Sequence, residues 1–138
     1  MPSNKEFAIR MEDRPGTLGK VCRALADRGV NILAFQSTLS EGKGLVHMVV
    51  DNPTSAKTVL DTERLTYSER EVAQVKLPHR PGELARAASR LGEANININH
   101  SYSGLEPGTN TPLLIFGVAD VGRAVTILDQ TATAAKGA

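Results

Sequence analysis

The triplet Arg-Pro-Gly occurs twice in this chain, as Arg14-Pro15-Gly16 and as Arg80-Pro81-Gly82, each directly before a helical pattern. Proline fixes φ and has no N–H, which suits the first turn of a helix. Glycine lets backbone approach a neighbour without a side chain in the way. Together they would bare unpaired amides at a helix start, where the helix dipole favours negative charge. A carboxylate seated there can take two or three N–H bonds, each charge-assisted bond being worth about 1.5–3 kcal/mol before the costs of binding. Arg14 and Arg80 could grip the same group bidentately. The plain alternative is a turn that only feeds the chain into a helix, with an exposed arginine beside it. Beyond each helix, at one fixed distance from the turn, stands an asparagine between apolar residues, Asn31 and Asn97. Asparagine offers a donor and an acceptor, so it can meet an ammonium or a carboxylate. An α-amino acid presents both groups a few ångströms apart.

The elements that must position these residues are themselves written twice. Leu18, Val21, Cys22 and Leu25 follow the i, i+3, i+4, i+7 spacing of one helix face, and Leu84, Ala87, Ala88 and Leu91 repeat it 66 positions later. Gly29 ends the first helix where a positive φ is needed; Asn95 takes that place in the second. Alternating strands precede the turns at Phe7, Ile9, Met11 and at Ala73, Val75, Leu77. Further strands are expected over 30–39 and 96–103, then over 45–51 and 113–119. Asn52 and Asp120 are set to cap a second helix in each half. The first half has room for a closing strand around residues 65–69. After Asp129 the chain reads Gln-Thr-Ala-Thr-Ala-Ala-Lys-Gly-Ala, with no alternation.

Each half therefore reads β-α-β-β-α. A right-handed crossover places the first two strands parallel with a gap, and the third, antiparallel strand fills it. The expected fold is α+β: two tandem ferredoxin-like βαββαβ units over residues 1–70 and 71–138, with antiparallel sheets and helices on one face. The second unit lacks a clear closing strand, which would leave residues 73–77 an open edge for pairing with another chain.

Arg-Pro-Gly-x-Leu, a helix, and then Gly-Val-Asn-Ile or Ala-Asn-Ile-Asn-Ile resembles the ACT domain, a regulatory amino-acid-binding module of many biosynthetic enzymes. The tandem arrangement, with the join over 70–78, is similar to small stand-alone proteins made of two ACT domains. That resemblance implies a non-enzymatic regulator that binds a small amino acid or similar carboxylate where ACT domains face one another. Carried onto matching positions, it implies ligand contacts from Asp13, Arg14, Gly16, Thr17, Leu18 and Asn31. In the second half it implies His79, Arg80, Gly82, Glu83, Leu84 and Asn97. Asp13 and Asn31 would meet the ammonium, the glycines and leucines acting through backbone amides. The halves differ: His79 replaces Asp13, and Glu83 puts an anion where Thr17 stands, so the first half is expected to be the better amino-acid pocket. The open edge at residues 73–77 predicts a homodimer, or a swapped use of strands between the halves. Allosteric regulation and a biosynthetic-enzyme partner follow from the resemblance, and an assembly module that binds no ligand is the competing reading.

Bulk composition narrows the other classes. Sixteen basic and fifteen acidic residues leave a net charge of +1, without a long run of either sign, which disfavours nucleic-acid or membrane partners held by charge. Three Phe, two Tyr and no Trp give no stacking pair for RNA. The single Cys22 excludes an intrachain disulfide, and no stretch reads as a signal peptide or membrane span, so a cytoplasmic protein is expected. His47, His79 and His100 fall in different elements with no partner at metal spacing, so neither a metal nor a cofactor is expected. No nucleophile, base or metal cluster marks an enzyme. Asn97 and Asn99 could line a polar pocket or form a solvated face, and the run over 104–112 is a long hairpin loop or a lid.

Overall fold

The computed structural model describes residues 3–136. The elements are β1 (Ser3–Met11), α1 (Thr17–Asp27), β2 (Ile32–Ser40), β3 (Lys43–Val50), α2 (Pro53–Thr62), β4 (Thr66–Lys76), α3 (Glu83–Glu93), β5 (His100–Leu105), β6 (Pro112–Gly117) and α4 (Val121–Lys136). The chain divides into two compact units, one of Lys5–Arg70 and one that runs from Glu71 and takes in the start of β1. Each has the ferredoxin-like α+β plan.

In the first unit β3 lies between β1 and β2 and is antiparallel to both, so β1 and β2 run parallel. Phe7 pairs with Met48, which pairs with Phe35, placing all three on one sheet face. Phe7, Ile9, Met11, Val46 and Met48 from that face pack with Val21 and Leu25 of α1 and with Ala56, Val59 and Leu60 of α2. At about 25 cal/mol per Å² of apolar surface removed from water, this packing is what holds the helices to one face. The turn between β2 and β3 puts Glu41 and Gly42 at φ 53° and 80°, the positive pair that a tight type I′ hairpin requires. Asn52 caps α2 by accepting from the Ser55 amide at 3.1 Å. The Tyr67 hydroxyl donates to Asp61 at 2.7 Å, and that bond pushes the phenol up to about 12.

The second unit repeats the arrangement: β6 lies between β4 and β5, antiparallel to each. Its core joins Ala73, Val75, Leu77 and Phe116 to Ala87 and Leu91 of α3 and to Ala124 and Leu128 of α4. Asp120 accepts from the Arg123 amide at 3.1 Å, as its capping position required. The helix exits match as well. Gly29 at φ 72° and Asn95 at φ 60° each follow a helix whose end is closed by the next amide: Val30 to the Leu25 carbonyl, Ile96 to the Leu91 carbonyl.

Three details depart from the sequence reading. The closing strand of the first half and the opening strand of the second are one continuous strand, β4. β5 begins at His100 rather than at residue 96, because Ile96 turns into the core and the ladder starts at the His100–Gly117 pair. The His100 ring lies over Gly117, and a Cβ there would come within 2.1 Å of it, so any larger residue would displace the ring. In the position where a closing strand would stand, the second unit has the continuation of α4 to Lys136. The strand expected to be an open edge is reached by Asn4, whose side-chain amide donates to Gln74 at 3.4 Å.

Candidate functional site

Each Arg-Pro-Gly turn opens onto a cavity inside its own unit. Gly16 and Gly82 are the N-caps of α1 and α3, at φ 93° and 91°, with no side chain capping either helix. In this left-handed conformation a Cβ would be strained, although nothing lies within 4 Å of where it would point. The first bonds inside the helices run from Lys20 to the Gly16 carbonyl and from Arg86 to the Gly82 carbonyl. Among the described residues, no protein acceptor takes the amides of Leu18 and Gly19 or of Leu84 and Ala85. The helix dipole adds partial positive charge at the same points.

The first cavity measures about 380 Å³ and the second about 650 Å³, both within the range of small-molecule sites. The first lies between the turn and the far ends of β2 and β3, at Ser37, Thr38, Leu39, Gly44 and Val46. The second is bounded in the same way by Ser103, Gly104, Leu105, Pro112 and Leu114. Every residue lining the first cavity has its repeat counterpart lining the second, with Met11 matched by Leu77, Ser37 by Ser103, and Val46 by Leu114. Asn110, in the longer loop, borders only the second.

Of the residues singled out in sequence, Asp13, Arg14, Gly16, Thr17 and Leu18 line the first cavity, and His79, Arg80, Gly82, Glu83 and Leu84 line the second. Asn31 and Asn97 do not join them. Asn31 stands beyond the far end of α1, whose 11 residues span about 16 Å; there its amide donates to Asp51 at 2.9 Å. Asn97 donates to Asn99 at 3.2 Å on an exposed stretch. Parallel strands explain the separation. The turn follows β1, so it meets the end of β2, while Asn31 precedes β2's beginning. The residues that do meet the turn, at 37–39 and 103–105, carry the repeat as plainly as the asparagines.

The arginines are committed to protein partners. Arg14 pairs with Glu12 at 2.6 Å, both well exposed. Arg80 pairs with Glu83 at 2.9 Å and donates to the Ala135 carbonyl of α4 at 3.3 Å. Arg86 holds the other oxygen of Glu83. Glu83 is only 3% exposed, and with both oxygens held by guanidinium groups it adds no open negative charge to the cavity. Thr17 answers differently at the matched place, donating to the Glu12 and Arg14 carbonyls at 3.0 and 3.1 Å to fasten the turn. No hydrogen bond or ion pair engages Asp13 among the described residues. Cys22 is half-buried on α1, and burial pushes its thiol up, away from the reactive thiolate.

The family model of the ACT domain matches residues 6–65. Among solved structures, a Bacteroides thetaiotaomicron protein superposes with a TM-score of 0.81 at 21% identity, over 94% of this chain and 88% of that one. The regulatory subunit of aspartate kinase from Thermus thermophilus, in its ligand-free form, gives 0.65 at 17% identity over 94% and 92% of the two chains. Aspartate kinase from Synechocystis gives 0.61 at 18% identity, over 98% of this chain but 25% of that one. At these identities the likeness is one of fold. No curated protein sequence matches the chain. No helix among the described residues is long and apolar enough to cross a membrane. The family model thus places an ACT domain over residues 6–65, within the first of the two units.

Proposed function

We propose that this protein is a non-enzymatic regulator built of two ACT units, residues 1–70 and 71–138, that binds a small amino acid or similar carboxylate. The observation that carries this reading is the pair of matched cavities, each facing unpaired amides at a helix start. The ligand's carboxylate takes the amides of Leu18 and Gly19, and its ammonium takes Asp13 in the first unit. Arg14 and Arg80 shape the rims through Glu12 and Glu83 instead of clamping the ligand. Asn31 and Asn97 lie outside this scheme. So few polar contacts correspond to micromolar to millimolar affinity, about −4 to −8 kcal/mol. The protein works as a homodimer in the cytoplasm and passes ligand occupancy to a biosynthetic enzyme; the fold likeness to an aspartate kinase regulatory subunit favours a partner of that kind.

Calorimetric titration with the twenty amino acids tests this directly. Heat from at least one, abolished by Asp13→Asn, is expected. Absence of heat at millimolar ligand, together with a pulled-down partner indifferent to ligand, would leave the assembly reading instead.

A further inference from the structure

The two cavities are built on one plan, yet the chemistry of their walls diverges in one direction. Glu12 and Asp13 of the first give way to Pro78 and His79 in the second, and Thr38 gives way to Gly104. Gly44 and Val46 are replaced by the larger apolar Pro112 and Leu114. The one acid gained, Glu83, has both oxygens held by Arg80 and Arg86 and is nearly sealed from solvent. Leu84 and Leu105, 57% and 55% exposed, face solvent beside this space without a covering group.

An ammonium placed in the second cavity would therefore lose hydration and find no open carboxylate among the lining residues, a loss that binding does not recover. An apolar tail, by contrast, would remove leucine and proline surface from water. From this difference we infer that the second cavity takes an apolar carboxylic acid without an α-ammonium, the 2-oxo acid class, while the first takes the zwitterion. The inference rests on the proposed function for its carboxylate seat, the amides of Leu84 and Ala85. One chain would then read an amino acid in one unit and an apolar acid lacking the α-ammonium in the other.

The test uses leucine and 4-methyl-2-oxopentanoate, which share a carbon skeleton and differ at the α-position. Each is titrated into the full-length protein while amide NMR shifts are followed separately at Leu84 and Ala85 and at Leu18 and Gly19. The oxo acid is expected to move the second pair at a concentration about tenfold or more below that needed for leucine, the scale of one charge-assisted contact. His79→Asp, a substitution at an exposed rim position, restores the acid of the first unit and should bring leucine to parity or better. Equal or tighter leucine binding in the natural sequence, or an unchanged preference in His79→Asp, overturns the inference. If amino acids move Leu18 and Gly19 while neither probe moves Leu84 and Ala85, the inference fails and the proposed function stands. If no ligand moves either pair, both fail.

Discussion

The two halves agree in backbone and disagree in side chains, and the division falls along a physical line. Where a position sets conformation, the repeat keeps its property: positive φ at Gly16 and Gly82, a left-handed exit at Gly29 and Asn95, side-chain caps at Asn52 and Asp120. Where a position sets the side-chain chemistry of the wall, the property can change: Asp13 against His79, Thr17 against Glu83. A duplicated scaffold can hold two different walls, because the bare amides at the two helix starts belong to the backbone and survive any choice of side chain around them.

The largest test of this equivalence is in the cores. Leu25 and Leu91 are both fully buried at matched positions, and Leu25→Ala and Leu91→Ala should each lower stability by about 2–5 kcal/mol in urea denaturation. Losses that differ by more than about 2 kcal/mol would show that the halves are not equivalently packed.

At the divergent position the losses should differ. Glu83→Ala removes two ion pairs whose arginines are nearly half exposed, so a loss of about 1–2 kcal/mol is expected, shrinking in high salt. Thr17→Val gives up the one hydroxyl hydrogen that the Glu12 and Arg14 carbonyls share and should lose about 0.5–1.5 kcal/mol at any salt concentration. A salt-independent loss at Glu83 would remove the charge argument.

Gly16→Ala and Gly82→Ala should each destabilise by about 1 kcal/mol through φ alone, nothing lying close enough to clash. A clearly unequal pair in thermal melts would break the match between the two helix starts. The smallest effect is at the helix exits, where Asn95→Gly should gain, and Gly29→Asn lose, less than about 1 kcal/mol. Opposite signs at these two sites sharpen the comparison; equal signs refute it.

Much of this scaffold was legible in the sequence, because turns, caps and amphipathic spacing act locally. Pro15-Gly16, Asn52, Asp120 and Asn95 each declare their role within four residues. The site was legible only in part. The turn residues announce themselves locally, but Asn31 and Asn97 share only a sequence distance with them, and strand direction sends each to the opposite end of its own sheet. Ser37 and Leu39 carry the signal too, since Ser103 and Leu105 repeat them 66 positions on. Arg86 follows Glu83 at three-residue spacing, which a helix turns into contact, while Arg80 reaches Glu83 from the turn before the helix. The bond from Arg80 to the Ala135 carbonyl spans 55 positions, and no local pattern foretells it.

The unbroken run of β4 from Thr66 to Lys76 carries a practical consequence. The boundary at Arg70 and Glu71 falls in the middle of a strand, so there is no tether there to cut or lengthen. A protease would find no slack at this junction. Halves expressed apart would each begin or end on a severed ladder, while a flexible insertion at that point should perturb both halves at once.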